Sequence, residues 1–343
     1  MLKCLLILCA APLLMSCATP TTGPSAAPKF SIAIHGGAGV IGKDTPEAER
    51  RAYVQGLERA LREGRDRLAR GESALDAAEA VVRILEDDPN FNAGKGAVFT
   101  EDGKHELDAS IMDGRTLACG AVGAVRTVKN PISLARLVME KTPHVLLIGD
   151  GAEQFATIVG VERVDPSYFD TENRRKALEK FLQEKKAVDS AQPPKSRGTV
   201  GCVALDTHGN LAAATSTGGM TGKRFGRVGD SPIIGAGTYA NNATCAVSCT
   251  GTGEEFIRNS AAHEVSALMM HLGVSVDKAA KTVIFERLKP DDGGLIAVSH
   301  AGEISMPYST PGMFRGAADS VGRFEVFIWE SPEPLLILAP EVR

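Results

Sequence analysis

Hydrophobic and polar positions along the chain alternate between two rhythms. Phe30-Ser31-Ile32-Ala33-Ile34 is a short apolar run, read as a buried strand that ends at His35-Gly36-Gly37-Ala38-Gly39,. The spacing then becomes helical, over about 46–69 and 73–87. In the second stretch Leu75, Ala78, Val81, Val82 and Leu85 share one face, and Ser73 is the capping residue,. Strands follow from Glu106 to Met112 and from Leu117 to Val128. Residues 131–160 read as two helical pieces around the short strand His144–Ile148,. Asn173 to Lys186 is a charged helix with a thin apolar stripe, expected to be solvated and to lead into a polar linker. Beyond it, residues 199–205, 211–217 and 243–248 read as strands. A helix then carries Ile257, Ala261, Val265 and Leu268, and Gly294–Ser299, Glu303–Met306 and Phe324–Trp329 close the chain as strands. Both halves mix strands and helices, which predicts an α+β fold with sheet packed on sheet and helices outside.

The leader changes the picture at one end only. Lys3 precedes an apolar run from Leu5 to Met15, too short to span a bilayer as a helix and patterned as a secretory signal,. Leu14-Met15-Ser16-Cys17 is similar to a bacterial lipobox, with residues 1–16 as the signal and a lipid on the Cys17 thiol. The alternative is an ordinary signal peptide and a soluble product. Residues 17–28 are rich in Pro, Ser, Thr and Ala and read as a tether,. The remaining 29–343, roughly 315 residues, suit one large domain,. A net charge of -4 without basic clusters argues against nucleic acid as a partner,. Cys119, Cys202, Cys245 and Cys249 lack zinc-ligand spacing,. Cys245 and Cys249 fall in one predicted strand, about 13 Å apart, and are read as core thiols rather than a disulfide.

Candidate chemistry centres on Arg197-Gly198-Thr199-Val200-Gly201-Cys202-Val203-Ala204-Leu205. A polar, breaker-rich segment ending Gln192-Pro193-Pro194-Lys195-Ser196 feeds directly into a buried strand that opens with Gly-Thr. Cutting Gly198–Thr199 would leave a threonine whose own amine can serve its hydroxyl as base. Asp206 to Asn210 supplies the turn of a hairpin,. If Leu205 pairs with Leu211, Thr217 lies opposite Thr199 on the same face, about 5 Å away at Cβ. A structural Thr–Thr cross-strand pair is the plain alternative.

Other stretches offer weaker signals. Leu85 to Lys95 is a loop of turn residues in which acids and carbonyls could hold a hard cation, or which merely stops a helix,. Arg227 can clamp a carboxylate and Asp230 an ammonium, or the two can pair with each other. Thr250-Gly251-Thr252-Gly253-Glu254 reads as a Gly-rich turn opening a helix, suited to an oxyanion or carboxylate, or as a simple cap. His105 and Glu106 read as surface polar residues. The glycines after His35 lack the Gly-x-Gly-x-x-Gly spacing of a nucleotide loop,.

Six ordered motifs together resemble the plant-type L-asparaginase/isoaspartyl peptidase family of amino-terminal-nucleophile hydrolases. They are His35–Gly39, Asn92–Val98, Asp108–Gly114, Gly198–Gly201 with Ser216–Met220, Gly226–Pro232 and Ser248–Glu254, over a similarity running from about Phe30 to Trp329. The resemblance implies an αββα sandwich, two stacked and mainly antiparallel sheets flanked by helices. It implies self-cleavage at Gly198–Thr199 into an α chain 17–198, with a variable linker at about 165–198, and a β chain 199–343. Thr199 would be the nucleophile, with Thr217 and Thr250 bonding it and its amine and Asn92 ordered nearby. Thr250 and Gly251 would hold the oxyanion, while Arg227, Asp230, Gly251 and Gly253 would bind substrate. Backbone carbonyls of Leu85, Glu86, Asp88, Phe91, Ala93 and Lys95 would wrap a structural sodium ion, with no cofactor for catalysis. The implied activity is hydrolysis of β-aspartyl dipeptides and L-asparagine through a threonine acyl-enzyme, in an (αβ)₂ assembly. The leader places it in the bacterial periplasm, lipid-anchored at Cys17. Glycosylasparaginase is the alternative, ranked second because Arg197-Gly198 stands where that enzyme usually has Asp before the nucleophile. A non-catalytic binding lipoprotein ranks below it, because Thr199, Thr217 and Thr250 are all present.

Overall fold

A computed structural model describes residues 29–39, 42–187, 198–330 and 335–337. The leader, the tether, Cys17 and the linker residues 188–197 lie outside the described residues. In chain order the main elements are β1 (Ser31–Gly39), α1 (Glu47–Ala69), α2 (Ala74–Asp87), β2 (Leu107–Asp113), β3 (Cys119–Val125), α3 (Pro131–Lys141), β4 (Leu146–Ile148), α4 (Gly149–Val159) and α5 (Glu172–Ala187). After the linker come β5 (Val200–Leu205), β6 (Leu211–Thr217), β7 (Thr238–Ala240), β8 (Cys245–Gly251), α6 (Gly253–Arg258), α7 (Ala261–Leu272) and α8 (Val276–Thr282). The chain closes with β9 (Gly293–Ser299), β10 (Ile304–Ser305), β11 (Gly312–Asp319), β12 (Phe324–Phe327) and β13 (Leu336–Ile337).

The strands form a nine-stranded sheet ordered β13-β12-β11-β1-β5-β6-β2-β3-β4 and a four-stranded sheet ordered β10-β9-β8-β7. Of the named strand pairs, β3 with β4 is the parallel one. Three apolar clusters set the layers. Ala33, Val203, Leu205, Leu211 and Ala213 of the large sheet meet Ala240, Ala246, Ile296 and Val298 of the small one. The opposite face of the large sheet, with Ile32, Ile34, Cys202 and Ala214, packs on Leu57, Leu61, Val81, Val82 and Leu85 of α1 and α2. The outer face of the small sheet, with Cys245, Val247 and Cys249, packs on Ala262, Val265, Ala279 and Val283. Alternation along each strand feeds one cluster or the other, as a sheet buried on both faces requires. The result is the helix–sheet–sheet–helix sandwich that the resemblance implies.

Several elements stand where their local pattern puts them. The Ser73 hydroxyl accepts from Asp76 N at 3.1 Å and caps α2. Leu205 pairs with Leu211 and Val200 with Ser216 across β5–β6. Cys245 and Cys249 lie along the single strand β8, and both thiols are free and buried.

Other expectations are corrected. His35 to Gly39 continue β1 as strand, with a bulge between His35 and Gly37. β8 runs through Thr250 and Gly251, so these residues end a strand rather than form a turn. The single helix expected beyond it breaks at Ser260, whose φ is 46°. β11, the antiparallel neighbour of β1, has no counterpart in the sequence reading. His105 is buried: its ring packs, tilted, against Phe99 at 4.2 Å between centroids and bonds Asp170 at 3.0 Å. The stripe of α5 is packed as well, since Leu178 and Phe181 close over Phe99.

Candidate active site

The hairpin β5–β6 brings the two threonines together. Thr199 immediately precedes β5, and its Oγ1 donates to Thr217 Oγ1 at 3.1 Å. Thr217 Oγ1 also accepts from Gly219 N at 3.0 Å, so the turn after β6 holds that hydroxyl in place. Gly198 stands against β1, where a Cβ on Gly37 would overlap the Gly198 Cα. Gly37 has φ of 115°, so both the close approach and the backbone conformation require glycine,.

Asn92 braces the same strand end. Its Nδ2 donates to Gly219 O at 2.7 Å, its Oδ1 accepts from Val98 N at 3.0 Å, and its carbonyl accepts from Gly218 N. The loop 85–96 is thereby stapled beside Thr217. On the next strand Asp108 faces Thr217 in register and is fully buried. Asp108 Oδ1 accepts from Ala124 N at 2.8 Å, and Lys223 Nζ stands 3.9 Å from Oδ2. Burial pushes the Asp108 carboxyl up and the Lys223 ammonium down,.

A hydrogen-bond chain runs between the sheets from Thr199. His35 Nδ1 lies 2.9 Å from Thr199 O, and because a carbonyl only accepts, Nδ1 carries the proton,. Burial pulls the imidazole down to about 3, against the opposing bond to Thr199, so the ring is neutral and Nε2 accepts,. Ser248 Oγ at 2.9 Å is its donor. Thr215 Oγ1 stands 2.7 Å from Ser248 Oγ, Thr238 Oγ1 donates to Thr215 at 2.6 Å, and Ser110 Oγ reaches Thr238 at 2.8 Å. The Ser248 hydroxyl thus donates towards His35, while at the far end Ser110 Oγ also reaches the Ser231 carbonyl at 2.6 Å. Gly201 leaves room for this chain, since a Cβ there would collide with Ser248 Oγ and His35 Nε2.

On the far side of the nucleophile, Thr250 Oγ1 accepts from Ala38 N at 3.1 Å, which leaves its proton free to donate,. Gly251 continues β8 opposite Gly293. Arg227 and Asp230 converge on Gly253, where a Cβ would lie 2.8 Å from Arg227 Nη2 and 2.9 Å from Asp230 Oδ1. They do not pair with each other as the plain alternative has it. Arg227 instead forks onto Glu254, with both N···O distances 3.0 Å. Asp230 Oδ2 is buried without a hydrogen-bond partner among the described residues. Burial pushes Asp230 up to about 7, with Arg227 pulling the other way. A buried carboxylate of this kind suits an incoming ammonium.

In the loop 85–96 Asp88 is engaged through both oxygens and Glu86 through Oε1, while Glu86 Oε2 is buried without a hydrogen-bond partner among the described residues. Glu86 Oε1 accepts from Ser216 Oγ at 2.6 Å and from Ile132 N at 3.1 Å, and Asp88 binds Arg59 at 2.8 Å and Asn90. Lys95 points over the Tyr168 ring. The loop's glycines stand close to carbonyl oxygens: a Cβ on Gly94 would collide with Glu86 O, and one on Gly96 with Phe91 O. Backbone oxygens of this kind are the ligand type that a hard cation takes. Among the described residues no cluster of His, Cys, Asp or Glu could hold a metal through side chains.

The sequence reading missed His35 as a hydrogen-bonding group, Thr215 and Ser248 as its relay, and Glu254 as the partner of Arg227. Thr215 and Ser248 carried a readable signal, a polar residue at an inward position of a buried strand.

Known proteins with the same pattern were found. The sequence profile described as asparaginase matches residues 28–328. The isoaspartyl peptidase of Escherichia coli is 52% identical over 295 residues, covering 84% of this chain and 92% of that protein. The isoaspartyl peptidase/L-asparaginase of Mus musculus is 46% identical over 296 residues, covering 84% of this chain and 89% of its own length.

Proposed function

The chain belongs to the asparaginase family, and from that premise we propose that it is a self-activating threonine hydrolase of β-aspartyl dipeptides and L-asparagine. The observation that carries this reading is the 3.1 Å bond between Thr199 and Thr217 at a strand start whose preceding glycine is pressed against Gly37. In the uncleaved chain Thr199 Oγ attacks the Gly198 carbonyl carbon. The C–N bond breaks as the Thr199 nitrogen takes the proton, and water hydrolyses the ester. The products are a carboxylate at Gly198 and a free amine at Thr199.

In turnover that amine takes the Thr199 hydroxyl proton while Oγ attacks the substrate's side-chain carbonyl. Thr217 orients the nucleophile. The Thr250 hydroxyl and the Gly251 N–H meet the developing oxyanion, where each donor is worth a few kcal/mol. Asp230 takes the substrate ammonium. Arg227 takes its α-carboxylate, exchanging Glu254 for it, and Gly253 leaves the room. The leaving nitrogen departs with the proton, and water releases aspartate from Thr199.

The carbonyl set of Leu85, Glu86, Asp88, Phe91, Ala93 and Lys95 would hold a sodium ion that stiffens the loop bearing Asn92. A melting temperature higher in sodium chloride than in N-methylglucamine chloride supports this, and equal values argue against it. Residues 1–16 would serve as an export signal and Cys17 as a lipid anchor. A mature amino-terminus at Cys17 carrying an acyl mass tests that, against cleavage elsewhere. An (αβ)₂ assembly is tested by sedimentation.

The deciding experiment is intact mass under denaturing conditions, followed by assay on β-aspartyl dipeptides and asparagine. Two chains, one beginning at Thr199, together with aspartate release bear the reading out. A single chain with no hydrolysis overturns it.

A further inference from the structure

One polar cavity of about 240 Å³ adjoins the scissile bond on the side of β1 and the loop 85–96. Gly37, Gly198, Asn92, Tyr53, Phe91, Phe314 and Arg174 are among its lining residues. Its volume equals about eight liquid waters at ~30 Å³ each, commensurate with one medium-sized amino acid,.

Chemistry decides what belongs there. On the reading above, the Thr199 amine accepts the hydroxyl proton and then delivers it to the departing nitrogen. That nitrogen must therefore lie within hydrogen-bond reach of Thr199 N. In the uncleaved chain the atom bonded to Thr199 N is the carbonyl carbon of Gly198, and Gly198 lines this cavity. Gly198, the covalent neighbour of Thr199 N, shares that cavity with Arg174 and the three rings.

Arg174 is the cation of that space. Its Nε donates to Gly96 O at 2.8 Å and its Nη2 to Asn90 O at 3.3 Å. Among the described residues no carboxylate lies within ion-pair distance, and Nη1 has no partner. Two carbonyls thus aim a half-buried guanidinium without neutralising it, and its remaining N–H groups suit a carboxylate. Beside it Tyr53 stacks on Phe314 at 4.4 Å, with Phe91 edge-on at 5.8 Å from Tyr53, an apolar wall for a side chain. Glu49, the other charged lining residue, is exposed, so solvent screens it,.

We propose that this cavity is the leaving-group subsite, and that Arg174 holds the α-carboxylate of the amino acid released from a β-aspartyl dipeptide. The proposal rests on the hydrolase reading and adds to it a source of preference. A dipeptide with a free carboxylate gains Arg174, whereas asparagine, which releases ammonia, gains nothing there. Arg174 is a specificity residue, and its bonds to Gly96 and Asn90 also brace the loop.

The test compares β-aspartyl-leucine, the same dipeptide with its terminal carboxylate converted to the amide, and L-asparagine. The wild type is expected to prefer the acid over the amide at least tenfold in kcat/KM. In Arg174→Gln that ratio should fall towards one, with KM for the acid rising more than KM for asparagine, and Arg174→Lys should recover part of the preference. A wild-type ratio near one overturns the subsite, and needs no variant to fold. Equal losses on all three substrates in Arg174→Gln also overturn it, because bracing alone would then account for Arg174. Aspartate release from asparagine by a wild type indifferent to the carboxylate would sink the subsite alone. No release from any of the three would sink the hydrolase reading and the subsite with it.

Discussion

His35 Nδ1 donates to the carbonyl of Thr199 across 2.9 Å, joining the strand that carries the glycines to the residue read as nucleophile. The bond fixes the imidazole as the neutral Nδ1–H tautomer. It also makes His35 the last donor of a chain through Ser248, Thr215, Thr238 and Ser110. Deleting the ring removes the His35 donor to Thr199 O and the acceptor of the Ser248 hydroxyl, which keeps Thr215. His35→Ala is expected to cost about 1–3 kcal/mol for each polar group left buried and unpaired, and to slow self-cleavage. Urea unfolding and the fraction of cleaved chain check both.

The same residue makes stability pH-dependent. His35 is held down to about 3 in the fold, against an ordinary value of 6.5. As pH falls below about 6.5 the unfolded chain binds a proton that the folded chain refuses, so stability drops progressively towards pH 3. His35→Gln keeps a donor and an acceptor but does not titrate. The wild type's advantage over it should narrow between pH 7.5 and pH 5. A constant gap would show that His35 is not buried neutral.

Thr199→Ala is expected to stay one chain without activity. Recovery of two fragments from it would remove Thr199 as the self-cleaving group. Thr217→Val removes the hydroxyl that meets Thr199 at 3.1 Å and should lower kcat by roughly 10²-fold or more, while Thr217→Ser should remain within about tenfold,.

Gly37→Ala tests the close approach at the scissile bond. The added Cβ meets the Gly198 backbone rather than a flexible side chain, and φ at 37 is 115°. Self-cleavage should slow about 10²-fold, the usual effect of a 1 Å misplacement at a reacting centre. Unchanged processing, followed over time by denaturing gels, would show that the contact is not used.

Asp230 adds a pH limb of its own. With burial raising it to about 7, the free enzyme loses the anion for the substrate ammonium as pH falls below that value. The Thr199 amine, an α-amine ordinarily near 7.7–8.0, is protonated over the same range. Log kcat/KM should therefore approach a slope of two below about pH 6, and a slope of one in Asp230→Asn.

Sequence by itself determined whatever depends on neighbours along the chain. The period of apolar residues placed α1 and α2, and Ser73 capped α2 by a bond spanning three residues. A five-residue turn set the β5–β6 register, so Thr217 could be placed opposite Thr199 before any tertiary contact was known. The six motifs named the family. Tertiary structure alone decided what distant segments do to one another. His35 and Ser248 are 213 residues apart, and nothing in a local pattern says that a histidine in a glycine strand will donate to the nucleophile's carbonyl. Burial of His105 depended on Phe99 and Asp170, and the choice of Glu254 over Asp230 by Arg227 depended on where α6 begins. β11 escaped the reading because Arg315 and glycines interrupt its apolar alternation, and pairing with β1 and β12 makes it a strand. Periodicity encodes which face an element buries, whereas hydrogen-bond partners and desolvation are fixed only when separate elements meet.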